Sequence, residues 1–313
     1  MRVLVIGPNG QDGTLIRSRL NGVENHVFGL TRNKVIDYTL KFVIQEQETA
    51  DFKSKDLLKI LSKIKPHVIF HVGAVHGSSQ SMESEIAKQK KEMFKLYVEY
   101  TNSILEWQSD NIHTKSLFAL SSQMYSNNNT NKIINEISSF SPQNYYGETK
   151  AMALDLIRKF RLRDKVNTAG LILFNHSSEF NNEKFLFPRL AKQLYFISKD
   201  KRESVKLINP LASIDMSSAY EFVDAILKIM NLDKLNDFVL SQGISFEIEY
   251  IVRRSCEILN LENIRIQSSE KSKFIDCLVG DISKAKKELD WSPVKKPWEV
   301  LSDMTRKLLG FNP

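Results

Sequence analysis

Only two cysteines, Cys256 and Cys277, occur among 313 residues. That excludes a disulfide framework and a cysteine-built metal cluster, and leaves two free, buried thiols as the expectation. Apolar runs stay well short of the ~18 residues that a bilayer span needs. The amino terminus enters a strand directly, with no signal-peptide pattern, so no membrane association and a cytoplasmic location are expected. Repeats and low-complexity tails are absent too. Basic residues are in excess, for a formal net charge of +7. They are scattered rather than gathered into an arm or stripe, which argues for an anionic small molecule over nucleic acid. His67, His71 and His76 are close in sequence, but their spacing on a strand and loop does not converge on one ion, and no metal is expected. What is present is a chain 42% hydrophobic and 26% charged, the balance of a soluble globular protein. It is long enough for one large α/β domain or a main domain with a smaller partner.

The first signal is a strand, a glycine turn and a helix in immediate succession. Arg2–Ile6 is short and β-branched, as in a strand buried on both faces of a parallel sheet. Gly7-Pro8-Asn9-Gly10-Gln11-Asp12-Gly13 follows, and Thr14–Leu20 has helical spacing. Glycines let a backbone turn tightly and approach a pyrophosphate, and a helix amino terminus offers unpaired N–H groups and a positive dipole end. This is the context of a dinucleotide site. A second strand, His26–Thr31, ends at Arg32-Asn33-Lys34. A basic residue there suits a ribose 2′-phosphate and an acidic one a 2′-hydroxyl, so NADP is favoured, with NAD possible; a solvated loop charge is the plain alternative.

Further strands are expected at Phe42–Ile44, His67–Val72, Ser116–Leu120 and Thr168–Phe174. Helices are expected at Asp56–Ile64, Glu83–Trp107 and from Pro142 to Phe160. Asp51 and Phe52, an acid beside an apolar ring, are placed to hold an adenine. The stripe Met93, Leu96, Tyr97, Tyr100, Ile104, Leu105 reads as core or a dimer seam. Such alternation calls for right-handed crossovers and a doubly wound parallel sheet, whose ligands sit beyond the carboxyl ends of the strands. Ser121, Ser122 and Gln123 end the fifth strand there, and Asn175-His176 the sixth. Beyond Ser177 the rhythm weakens: helices are expected near Phe180–Ser198, Ser217–Met230, Glu247–Leu259 and Ile282–Leu289. Short strands are expected at Val205–Ile208 and Asp237–Leu240, the latter returning to the main sheet, and the rest is irregular.

Tyr146 and Lys150 stand four residues apart at the start of a helix-periodic run, so one turn puts both on the same face. A phenol titrates near ~10, and an ammonium one turn away stabilises its anion, which makes a proton-transfer pair. The plain alternative is an aromatic anchor beside a solvated lysine.

The glycine loop, the serine ending the fifth strand and Tyr146/Lys150 together resemble the extended short-chain dehydrogenase/reductases. Within them, the GDP-mannose 4,6-dehydratases are similar at Gly10-Gln11-Asp12-Gly13, Leu173-Phe174-Asn175-His176 with Ser178, Gly280-Asp281-x-Ser-Lys-Ala285 and Trp291-Ser292-Pro293. The resemblance implies a Rossmann domain (1–174 plus about 217–243) holding NADP through Gly7, Asn9, Gly10, Gln11, Asp12, Gly13, Arg32, Asp51 and Phe52. It implies a smaller α/β lobe (about 175–216 plus 244–313) for a nucleotide-diphosphate sugar, GDP-sugars favoured. A homodimer or homotetramer formed through helices near Glu83–Trp107 and Tyr146–Phe160 is implied as well. In that picture Lys150 holds the nicotinamide ribose and lowers the Tyr146 pKa, and Tyr146 takes a proton from a sugar hydroxyl that Ser121 also bonds. Ser122, Asn175, Arg189 and Lys271 contact the sugar nucleotide. The departures are equally specific. Gln123 stands where the dehydratases place a glutamate base, leaving Tyr125, Glu148 or a water to remove the C5 proton. Ser177–Asn182 replaces an arginine-rich segment, and Ile214-Asp215-Met216 replaces Arg-Asp-Trp. Expected activities are therefore a 4,6-dehydratase, or a nucleotide-sugar 4-ketoreductase, 4-oxidase or epimerase that stops at hydride transfer. A cofactor-binding regulator without catalysis is the lesser alternative.

Overall fold

Val3, Leu4 and Val5 are wholly buried, and a strand apolar on both faces belongs inside a sheet covered on both sides. The computed structural model describes residues 1–22, 24–31, 35–37, 54–75, 83–126, 132–199, 204–268 and 277–311. It places β1 (Arg2–Ile6) between β2 (His26–Leu30) and β4 (Val68–His71), parallel to both, with Val5 opposite Gly29 and Phe70. Among the described residues the sheet has seven strands. Their order is Phe238–Leu240, Asn167–Leu173, β5 (Lys115–Ala119), β4, β1, β2 and β3 (Val35–Asp37). The chain thus winds outward in both directions from the β1–β4 boundary, the doubly wound arrangement expected.

One edge departs from expectation. β3 runs antiparallel to β2, because the few residues between Leu30 and Val35 are too short for the dozen or so that a parallel return needs. The strand expected at Phe42–Ile44 lies outside the described residues. Against the sheet pack α2 (Ser54–Ile64), α4 (Tyr100–Ser109) and α5 (Tyr145–Arg163), whose Leu57, Leu61, Ile104, Ile157 and Phe160 form one core with Leu4, Ile69 and Phe118. The long helix expected from Glu83 is α3 (Glu83–Phe94), a π-helical turn at Lys95–Glu99 and then α4. Such a turn closes i→i+5 bonds and re-aims the side chains it carries.

By compactness the chain divides into one unit of Met1–Ser126, Glu136–Leu173 and Ile226–Phe238, and another of Asn127–Asn135, Phe174–Ala225 and Val239–Pro313. Residues 217–225 and 239–243 therefore group with the second unit rather than with the nucleotide-binding half. The second unit holds short strand pairs, among them Asn175–Ser177 with Met216–Ser218 and Ser204–Leu207 with Arg265–Ser268, both parallel. Its core joins α6 (Leu186–Ser198), α8 (Ile248–Ile258) and α10 (Pro297–Leu308) through Leu190, Leu194, Ile251, Val252, Leu301 and Met304. Helix α10 corrects the expectation of irregular chain. Pro297 there is a helix start, not a stop, since its missing N–H falls where no helical partner exists, and the Glu299 carboxylate accepts the Lys296 N–H at 2.7 Å.

Candidate active site

The carboxyl ends of β1, β4 and β5 meet at the glycine turn. Gly7 has φ +85°, and a Cβ there would fall 2.3 Å from Gly73 Cα, just past β4. A Cβ on Gly13 would fall 2.1 Å from the Gly7 carbonyl oxygen, whereas one on Gly10 would meet the same oxygen at an ordinary 3.6 Å. Two of the three glycines are thus required by close backbone approach. Helix α1 (Gln11–Leu20) starts at Gly10 with no side-chain cap, and the amino end of a helix is where an anion is favoured.

Ser121 lies just past β5 and Tyr146 in the first turn of α5. The Ser121 side chain lies close enough to the Tyr146 hydroxyl to favour its anion and accepts the Gln123 N–H at 3.2 Å. Burial pushes the Tyr146 phenol up to about 12; Ser121 opposes that shift and the Asp12 carboxylate adds to it. Lys150, 3% exposed, donates to the Ala119 carbonyl at 2.6 Å. Burial pulls its amine down to about 7, with Asp12 working the other way. Asp12, in the first turn of α1, therefore acts electrostatically on both members of the pair. The Lys150 ammonium sits 3.7 Å from the Tyr97 ring centroid and 5.7 Å from that of Tyr146. Desolvation, rather than the lysine, dominates the phenol in this arrangement.

Gln123 does not stand idle. Its Oε1 accepts the Asn144 amide at 2.9 Å, and Asn144 Oδ1 caps α5 by accepting the Gly147 N–H at 2.8 Å. Tyr125 is buried with its hydroxyl unpartnered, its ring tilted on Phe140, and burial raises its pKa. Glu148 is exposed, two residues on from Tyr146 and so on another face of the helix.

Of the other expected site residues, Asn9 is exposed on the turn, Gln11 and Asp12 open α1, and Ser122 opens a short 3₁₀ turn, Ser122–Met124. Asn175 and Arg189 belong to the second unit. Asn175 donates its amide to the Asp215 carbonyl at 3.1 Å, and Arg189 is exposed on α6, lining a groove with Lys192, Phe196 and Lys206. Arg32, Asp51, Phe52, Lys271 and His76 lie outside the described residues. Three residues here carry no motif. Asn144 was findable as a helix cap, three residues ahead of Gly147. His71, ending β4, is 2% exposed and stacks on Phe118 at 5.7 Å, its Nε2 unpartnered; burial first and Lys150 second pull it down to about 3. Tyr97, read as core, touches both members of the pair.

The sequence profile of the family described as GDP-mannose 4,6 dehydratase matches residues 4–304. GDP-mannose 4,6 dehydratase 2 of Caenorhabditis elegans is 25% identical over 347 aligned positions, spanning 96% of this chain and 87% of that protein. The fold is similar to that of RMD from Pseudomonas aeruginosa, solved with NADPH (TM-score 0.74, 14% identity, 99% of each chain). It is similar too to the UDP-glucose 4-epimerase of Thermotoga maritima, solved with UDP-glucose (TM-score 0.75, 16% identity, 99% of this chain and 100% of that one). At such identities these two likenesses speak for the fold alone.

Proposed function

The chain belongs to the GDP-mannose 4,6-dehydratase family, and from that premise we propose that it uses NADP to exchange hydride at C4 of a nucleotide-diphosphate sugar, GDP-sugars favoured. The observation that carries the proposal is the gathering of Ser121, Tyr146 and Lys150 beside the glycine turn, with an amide, Gln123, where a second base would stand. The turn fits a dinucleotide: Gly7 and Gly13 leave no room for a Cβ, and α1 opens uncapped toward it. When bound, the nicotinamide supplies the carbon that accepts or returns hydride.

The chain's own residues handle the proton. Held near 12, the Tyr146 phenol is protonated at neutral pH and is ready to donate to the oxygen of a sugar ketone as its carbon becomes a carbinol. Ser121 bonds the same oxygen and keeps it within reach. In the opposite direction Tyr146 must first lose its proton, which requires Lys150 in its charged form nearby. Loss of water across C5 and C6 needs a further base, and neither Gln123 nor the buried Tyr125 is one. This favours a 4-ketoreductase, 4-oxidase or epimerase. The complete 4,6-dehydratase reaction is the second reading, favoured by the family match over residues 4–304. A homodimer through α3 and α5 fits the exposed Ile86 and Met152 on those helices.

Incubation with GDP-, UDP- and dTDP-sugars and their 4-keto forms, followed by mass spectrometry, tests the proposal. Consumption of NADPH with a 4-keto sugar supports it. A 4-keto-6-deoxy product formed without net cofactor use supports the second reading, and no change in any sugar contradicts both.

A further inference from the structure

Tyr97 is 1% exposed and would pass for a core aromatic, yet each part of it is engaged differently. Its ring face carries the Lys150 ammonium at 3.7 Å from the centroid, a cation–π contact in a site from which water is largely excluded. The Tyr146 ring meets the Tyr97 ring edge to face, centroids 5.5 Å apart at 83°. Its hydroxyl accepts the Val75 N–H at 2.7 Å and donates back to the Val75 carbonyl at 3.4 Å, pinning the ring to the chain that leaves β4. Tyr97 lies within the π turn Lys95–Glu99, and such turns recur at functional sites.

We infer that Tyr97 is a positioning residue for the Tyr146–Lys150 pair, its face seating the ammonium and its T-shaped contact fixing the phenol ring, so that a third side chain sets their separation. This rests on the reading of that pair as the proton-exchanging one. An ammonium has three donors, and the hydrogen bond Lys150 makes to Ala119 uses one of them; the ring face holds the charge where no further acceptor is needed. Asp12 from α1, His71 from β4, Tyr97 from the π turn and Tyr146 from α5 face Lys150. Asp12 and the ring favour its charged form, whereas burial opposes it and the neutral His71 adds no charge.

The test reads Lys150 directly by competitive amine labelling of the full chain across pH with mass spectrometry, beside kcat and KM for the wild type, Tyr97→Phe, Tyr97→Leu and Tyr97→Met. Tyr97→Phe keeps the ring and is expected to leave the Lys150 titration unchanged and kcat within about threefold, as loss of one neutral hydrogen bond predicts. Tyr97→Leu and Tyr97→Met lose the face. In them the Lys150 titration is expected to move down by about one unit, a roughly tenfold smaller ammonium-to-amine ratio, with kcat down at least about tenfold and KM within about twofold. An unmoved Lys150 titration in folded Tyr97→Leu or Tyr97→Met overturns the inference, as does Tyr97→Phe shifting as far as they do. If both aliphatic variants fail to fold while Tyr97→Phe folds, the residue is structural and the inference falls. Labelling needs no turnover, so a wild type that transforms no sugar ends the functional reading while the titration still decides the role of Tyr97.

Discussion

A phenol near 12 beside an amine near 7 is a pair whose natural neutral-pH move is for the phenol to give a proton away. In the proposed reaction, Gln123 limits how far the chemistry runs. Glutamate at that position would keep an oxygen to accept the Asn144 amide, so Gln123→Glu should fold normally and add a carboxylate able to take a proton. We expect it to raise a 4-keto-6-deoxy product at least about a hundredfold over the wild type, the low end of what a positioned base contributes, read by mass spectrometry; an unchanged product ratio would show that the amide is not what limits elimination. The positions of Ser121, Tyr146 and Lys150 were legible in the sequence, because a residue just past a strand and a four-residue spacing on one helix face can be read from pattern. Tyr97 was not. Helical periodicity marks a position as inward-facing, but it does not say that the neighbours come from the chain leaving β4 and from α5.

Among the elements, the glycine turn makes the sharpest claim, since two of its glycines leave no space for a methyl group and one does. Gly13→Ala should abolish measurable cofactor binding, while Gly10→Ala should bind within about threefold of the wild type, because an ordinary 3.6 Å contact adds no clash and Gly10 has an extended backbone that any residue adopts; fluorescence titration with NADPH checks both. Equal losses would place the anion site elsewhere. At the start of α5, Asn144→Ala removes a cap and should cost about 1 kcal/mol in denaturant unfolding. Most helices and the parallel run of strands were readable from apolar periodicity. The antiparallel β3 was hidden because direction is set by the length of a connection, and α10 because a proline after two lysines looks like a terminator until Pro297 is known to stand at N1.

Across the whole molecule, one buried carboxylate ties distant stretches of the first unit together. Asp237 bonds Arg158 Nε at 2.9 Å, Arg161 and the Gly170 N–H at 3.0 Å. Burial pushes its carboxyl up, but the Arg161 and Arg158 guanidiniums outweigh it and hold the pKa below the usual range. The sign follows: a lowered folded pKa gives stability that is present above the unfolded value, near ~4, and is lost as pH falls through the folded one. Asp237→Asn should therefore unfold with a deficit of about 3–5 kcal/mol at neutral pH, the cost of breaking a buried ion pair, and the deficit should shrink below about pH 4, as followed by thermal melts across pH. A deficit that is flat with pH would deny the carboxylate that role.

In the proposed reaction, Tyr146 exchanges the proton at a sugar carbon that also exchanges hydride. Its most direct measurement uses NADPH deuterated at the transferred position with a panel of nucleotide 4-keto sugars, comparing the wild type and Tyr146→Phe by mass spectrometry. The predicted result is deuterium at C4 in the wild type and a rate at least about a hundredfold lower in the variant, with NADPH affinity retained. Equal deuterium incorporation by the two proteins would contradict it.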